Sequence, residues 1–149
     1  LTDLVARAID SKSSGGLKKA YQDFANKAGT GSEMFFLTDN NGWPILHAWF
    51  YASREDFLKL GIQVSKDWNT NTCIGDYLKN IESMKDKSDN KNSKYSGYFW
   101  YNSKNKSRHA EMRGHGGQQI HIDLEKNKVL TYHSITRDYD NKSIRNLLK

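Results

Sequence analysis

Apolar residues recur at helical spacing through the first half of the chain and at a spacing of two through most of the second. Leu1, Leu4, Val5, Ala8 and Ile9 share one helical face, and the cluster Ser11-Lys12-Ser13-Ser14-Gly15-Gly16 is expected to stop that helix. Leu17, Ala20, Tyr21, Phe24 and Ala25 then predict a second helix, ended by Gly29-Thr30-Gly31. Met34 to Leu37 reads as a short strand, and Asn40-Asn41-Gly42 as a turn before Trp43-Pro44. Ser53-Arg54-Glu55-Asp56 has the form of a capping box, in which Ser53 accepts from a free helix-end N–H and Asp56 reaches back. The helix it opens is expected to bury Phe57, Leu58, Gly61, Val64 and Trp68. Ile74, Tyr77, Leu78, Ile81 and Met84 predict one more amphipathic helix.

From Tyr95 onward the alternation predicts four antiparallel strands: Tyr95–Tyr101, Ala110–Arg113, Gln118–Leu124 and Val129–Ile135. In the third, inward Ile120 and Ile122 put His121 and Asp123 on the outer face. Asp140 to Leu148 reads as a closing helix with Ile144, Leu147 and Leu148 inward. Helices, then a meander, then a helix make an α+β pattern, and no internal repeat is present.

Composition adds limits. At 149 residues the chain has one domain's length, and 36% hydrophobic content with a mean hydropathy of −0.85 implies a modest core in which aromatics carry much of the packing. A single Cys, Cys73, excludes a disulfide framework. The formal charge is +6, and five of those charges fall between Lys85 and Arg108, in polar stretches without period. Residues 85–94 are expected to form a polar surface loop, and with such a distribution a nucleic-acid partner is disfavoured. No apolar run approaches the ~20 residues of a membrane span, and no charged-then-apolar leader is present. The chain opens without Met, in mid-pattern, which suggests that an N-terminal part is absent.

Few residue patterns carry chemistry. The five histidines, at 47, 109, 115, 121 and 133, have no metal-ligand spacing and no nearby Cys, so no metal is expected. Two Ser-x-x-Lys matches, Ser88 to Lys91 and Ser103 to Lys106, lie in the polar stretches with nothing apolar to anchor a helix, and are read as chance. Cys73 has neither a base nor a cation beside it in sequence. Gly114-His115-Gly116-Gly117-Gln118 differs, because it opens a core strand. Three glycines there leave the backbone bare for close approach, His115 would face a cleft, and the Gln118 N–H is placed to meet a developing oxyanion. A glycine-rich bulge holding a hydrogen-bonded His is the alternative.

Several segments from about Asp3 to the end resemble the C-terminal part of the serine beta-lactamase-like hydrolases, the group of class C beta-lactamases, DD-peptidases and other penicillin-binding proteins, related esterases and 6-aminohexanoate-dimer hydrolases. Leu37-Thr38-Asp39-Asn40-Asn41-Gly42 is similar to the family's Trp-Leu-Thr-Asp-x-x-Gly stretch, and Tyr51 to Gly61 to its Ala-x-x-Asp-Phe-x-x-x-Gly helix. Tyr95 to Tyr101 resembles its Tyr-Gly-Tyr-x-Trp-Trp strand, and Gly114 to Asp123 its Gly-His-x-Gly-Gly-Gln strand. The resemblance implies a beta-lactamase/transpeptidase-like fold and cleavage of an ester or amide through an acyl-enzyme, with no cofactor. It implies that His115 lines and polarises the substrate site, that Gly116 and Gly117 border the substrate, and that the Gln118 N–H is one of two oxyanion donors. The family's nucleophilic Ser, its Lys and its Tyr would lie upstream of Leu1, so the chain alone is expected to be inactive and to need the missing N-terminal part of the same fold. His in place of the beta-lactamase Lys leans toward esters or short amides over penicillins. Family members are often exported, to the periplasm or beyond the cell. A non-catalytic module that binds a ligand or partner on an incomplete hydrolase fold is the alternative class.

Overall fold

The computed structural model describes residues 14–31, 35–45, 50–84, 93–102, 108–114 and 117–133. The expected helices at Leu1–Ile9 and Asp140–Leu148 lie outside them, as do residues 85–92, Ser103, His47, His115 and Gly116. The chain divides into two compact units, Leu1–Leu60 and Gly61–Lys149.

In the first unit the helical period of Leu17, Tyr21, Phe24 and Ala25 builds α1 (Ser14–Ala28). It begins inside the cluster expected to stop the preceding helix, running through Gly15 and Gly16, and it ends where expected. Gly29 takes a φ of 69°, a conformation that costs glycine little, and the Thr30 N–H and hydroxyl both donate to the Ala25 carbonyl, at 3.1 and 2.9 Å. Two short strands, β1 (Phe35–Phe36) and β2 (Phe50–Tyr51), pair antiparallel. Between them Asp39 folds a turn by accepting from the N–H groups of Asn41 and Trp43, both at 2.9 Å, with Gly42 at a φ of 79°. Buried Ala25 and Leu60 centre a small core closed by Tyr21, Phe24, Ala28, Phe50 and Ala52.

Helix α2 (Arg54–Trp68) opens on half of the expected capping box. The Asp56 N–H donates to Ser53 Oγ at 3.0 Å, but the Asp56 carboxylate turns away from the cap to accept from the Gly31 N–H at 2.7 Å and the Ser53 hydroxyl at 2.9 Å. The Gly31 N–H above all, with the Ser53 hydroxyl and the Lys59 ammonium, holds this carboxyl below its ordinary value against the opposing cost of burial.

In the second unit α3 (Cys73–Ser83) is capped by Thr72, whose hydroxyl accepts from the Gly75 N–H at 3.2 Å. Its buried face is Gly75, Leu78, Ile81 and Glu82, whereas Ile74 and Tyr77, expected inward, are 50% and 60% exposed. Gly75 explains the rotation. Lacking a Cβ, it sits against the carbonyls of Thr70 and Asp67, and that contact carries Ile74 and Tyr77 outward.

The expected meander is present with one strand more than expected. β3 (Ser93–Ser96), β4 (Phe99–Asn102), β5 (His109–Arg113), β6 (Gln119–Asp123) and β7 (Lys128–Tyr132) form one antiparallel sheet in sequence order. Tyr95–Tyr101 is therefore a hairpin and not a single strand. Its two-residue turn is Gly97-Tyr98, both at positive φ (55° and 68°), the backbone that matches strand twist. One sheet face, with Phe99, Tyr101, Ala110, Ile120 and Ile122 buried, packs on Trp68, whose ring lies 5.1 Å from Phe99 and 6.3 Å from Tyr101. The Trp68 indole N–H donates to buried Glu82 at 3.1 Å, and Arg108 Nε donates to the same carboxylate at 3.0 Å, so this buried acidic group is matched.

At Gly61 a Cβ would stand 2.6 Å from Ile120 Cγ2 and 2.7 Å from Val129 Cγ1. Gly61→Ala is therefore expected to lower stability by about 1–3 kcal/mol through overpacking, read as a lower urea midpoint at unchanged slope. The Asp56 contribution is fully present above the ordinary carboxylate pKa of about 4 and is lost as pH falls through the lowered folded value. Asp56→Asn should flatten the acid limb of the stability-versus-pH curve below about pH 4, and an unchanged limb would remove this carboxylate from the account.

Candidate functional site

The glycine motif connects β5 to β6. Arg113 pairs with Gln119 at the last rung of the ladder, and beyond it the Gly114 N–H donates to the Gln118 carbonyl at 2.7 Å, closing the loop base. The Gly117 N–H reaches the Gly114 carbonyl at 3.4 Å, and Gly117 is buried at a φ of 95°, a backbone that a side chain would strain. The Gln118 side chain folds over Gly114, where an added Cβ would stand 3.0 Å from Gln118 Oε1. Of the sequence-expected site residues, Gly117 and Gln118 are thus brought together in one tight connection, and His115 and Gly116 lie outside the described residues.

Beneath this loop the hairpin register assembles a second constellation. His109 faces Asp123, Glu111 faces His121 and Arg113 faces Gln119, so six polar side chains share one sheet face. His121 and Asp123 were expected outward; both are 0% exposed and Glu111 is 1% exposed. The expectation failed because β6 is buried on both faces, so inward Ile120 and Ile122 say nothing about the opposite side.

The carboxylates are shared out by oxygen. Asp123 Oδ1 accepts from the N–H groups of Glu125 (3.0 Å) and Lys126 (2.9 Å), which folds the β6–β7 turn, and its Oδ2 faces His109 Nε2 at 3.4 Å. Glu111 Oε2 accepts from Arg113 Nε at 2.8 Å and Nη2 at 2.6 Å, and its Oε1 faces His121 Nδ1 at 3.4 Å. His121 stacks on Tyr132 with ring centroids 5.7 Å apart, and among the described residues neither of its ring nitrogens makes a hydrogen bond. The Arg113 guanidinium lies 5.0 Å from the centre of the Trp100 ring. Sequence reading missed this ladder, although a signal existed: His-x-Glu-x-Arg and Gln-x-His-x-Asp flank the loop in an order that antiparallel pairing brings into charge-complementary register.

Chemically, the loop offers a closed backbone turn free of a side chain at Gly114 and Gly117, and the ladder below it offers imidazole–carboxylate pairs and one oriented guanidinium. Among the described residues no group of three or more His, Cys, Asp or Glu is placed to hold a metal. No described helix is long and apolar enough to cross a membrane. Cys73 is an exposed free thiol.

No family model, curated protein or solved structure matches the chain.

Glu111 is the shared element of the ladder. Glu111→Ala should destabilise by about 2–3 kcal/mol, less than the ~3–5 of a wholly buried broken pair because Arg113 keeps some access to solvent. A loss under about 0.5 kcal/mol in urea denaturation would mean that the pair is not formed in solution.

Proposed function

We propose that this chain is the C-terminal portion of a serine beta-lactamase-like hydrolase that cleaves an ester or amide through an acyl-enzyme. In this reading the nucleophilic Ser, its Lys and the Tyr come from polypeptide upstream of Leu1. His115 lines the substrate site, Gly116 and Gly117 border the substrate, and the Gln118 N–H is an oxyanion donor. The observation that carries the proposal is the β5–β6 connection. Its closure by the Gly114 N–H to Gln118 carbonyl bond at 2.7 Å, with Gly117 at a φ of 95°, sets two residues without side chains, Gly114 and Gly117, at the end of two adjacent strands. An acyl-transfer site needs such backbone, because rigid N–H groups stabilise charge on the tetrahedral intermediate without reorganising. The antiparallel sheet with Trp68 against one face supplies a rigid platform for it.

Mechanistically, attack by an upstream Ser on the substrate carbonyl converts that carbonyl oxygen into an oxyanion, and the Gln118 N–H donates to it. His115 holds the acyl group or the leaving group by hydrogen bonding at the cleft wall. Collapse of the intermediate expels the alcohol or amine, and water later releases the acid. Donors without a nucleophile form no acyl-enzyme.

The 149-residue chain should accordingly show no turnover of a chromogenic short-chain ester above the buffer rate. Turnover by the chain alone that disappears in Ser88→Ala or Ser103→Ala would contradict the assignment of the nucleophile to an upstream position.

A further inference from the structure

In the first unit a cleft of about 300 Å³ opens between α1 and β1. That volume is at the small end of ligand pockets and suits a single ring system. Leu17, Tyr21, Phe36 and Pro44 line it with apolar surface. The Tyr21 hydroxyl is buried, so the cleft meets the ring. That ring is held by edge contacts to Phe36 and Phe50, at 4.9 and 5.8 Å between centroids. Phe35 also borders the cleft and stacks on Tyr51 at 5.1 Å, yet it stays 51% exposed. Walls fixed in this way are formed before a ligand arrives, which keeps the ordering cost of binding low.

The polar residues set the sign of the ligand. Lys18, Gln22 and Thr38 complete the lining, and none of the lining residues is acidic. Along α1 the neighbours of Lys18 at three and four positions, Ser14, Gly15, Tyr21 and Gln22, carry no charge. Lys19, the next residue, differs, because Asp23 stands four positions on and pairs with it at 2.9 Å. The cleft is therefore bordered by an ammonium that its own helix does not neutralise, next to an aromatic wall.

We propose that this cleft binds a small aromatic carboxylate, with the ring against Tyr21 and Phe36 and the carboxylate at Lys18 Nζ. Burial of the ring supplies most of the affinity, since Lys18 is exposed and an ion pair left in water contributes discrimination of only a few-fold. All the lining residues belong to the first unit, so the site is independent of the β5–β6 connection and of the acyl-transfer reading.

The test is a ¹H–¹⁵N NMR titration of the 149-residue chain with benzoate, with neutral benzamide, and with cyclohexanecarboxylate, which keeps the charge and loses the aromatic ring. Benzoate is expected to shift the Lys18, Tyr21, Phe36 and Thr38 amides along one saturating curve, with a Kd on the order of millimolar. Benzamide should bind roughly two- to fivefold more weakly, and cyclohexanecarboxylate should also bind more weakly than benzoate. Raising the salt from about 0.01 M to about 1 M should remove the advantage of benzoate over benzamide. Lys18→Gln, a substitution at an exposed position, should remove the same advantage at low salt. Equal affinity for benzoate and benzamide in the wild-type chain, or an advantage that survives Lys18→Gln, would overturn the role of Lys18 and with it the anionic class. Tighter binding of cyclohexanecarboxylate would overturn the aromatic class. Shifts that do not saturate, or that leave those four amides unmoved, would overturn the cleft as a binding site.

Discussion

The second unit depends on the register of one hairpin. From His109 opposite Asp123 to Arg113 opposite Gln119, β5 and β6 pair without a bulge, and every side chain on the two strands takes its face from that alignment. A slip of one residue would turn the imidazoles and carboxylates toward Trp68 and send Ile120 and Ile122 to the polar side. Both ends of the hairpin resist it. At one end the Gly114 N–H closes on the Gln118 carbonyl, with Gly117 supplying the positive φ that the turn requires. At the other, the Leu124 N–H donates to the Arg108 carbonyl at 2.9 Å, and Asp123 folds the following turn.

Given that register, the two faces solve different problems. The apolar face buries large rings, and the buried carboxylate of Glu82 beside it is matched by an indole and a guanidinium. The polar face takes ionisable groups out of water, which costs far more per group than burying a ring. Part of that cost is offset by one oxygen of each carboxylate: Asp123 Oδ1 accepts in the turn and Glu111 Oε2 accepts from Arg113, while Asp123 Oδ2 and Glu111 Oε1 face imidazoles at 3.4 Å. Such an arrangement adds little to stability when compared with an apolar one, but it fixes the orientation of Arg113 at the base of the loop.

Helix positions followed from period alone, because α1 and α2 bury a stripe that recurs at 3.6 residues. What escaped was whatever depended on a glycine or on a partner. The face of α3 is set by Gly75 against two carbonyls, which outranks the larger side chains of Ile74 and Tyr77. The Gly97-Tyr98 turn went unrecognised because tyrosine is a poor residue for positive φ, so Gly97 beside it did not read as half of a two-residue turn. Asp56 was legible as a helix-start residue, but the Gly31 N–H that claims its carboxylate lies 25 positions away. The polar ladder was hidden for the same reason. A strand's own alternation reports one buried face, and only pairing with β5 reveals the second. The glycine loop, by contrast, was legible as a motif, and its closure adds the backbone geometry that the motif lacked.

The most direct measurement of the central claim is mass-spectrometric mapping of the adduct formed by an alkyl phosphonate ester on the chain extended by its native upstream sequence. The account predicts one adduct per molecule, on a serine upstream of Leu1 and followed three residues later by a lysine. An adduct on any serine within the 149 residues, or none under conditions where the extended chain is folded, would contradict it.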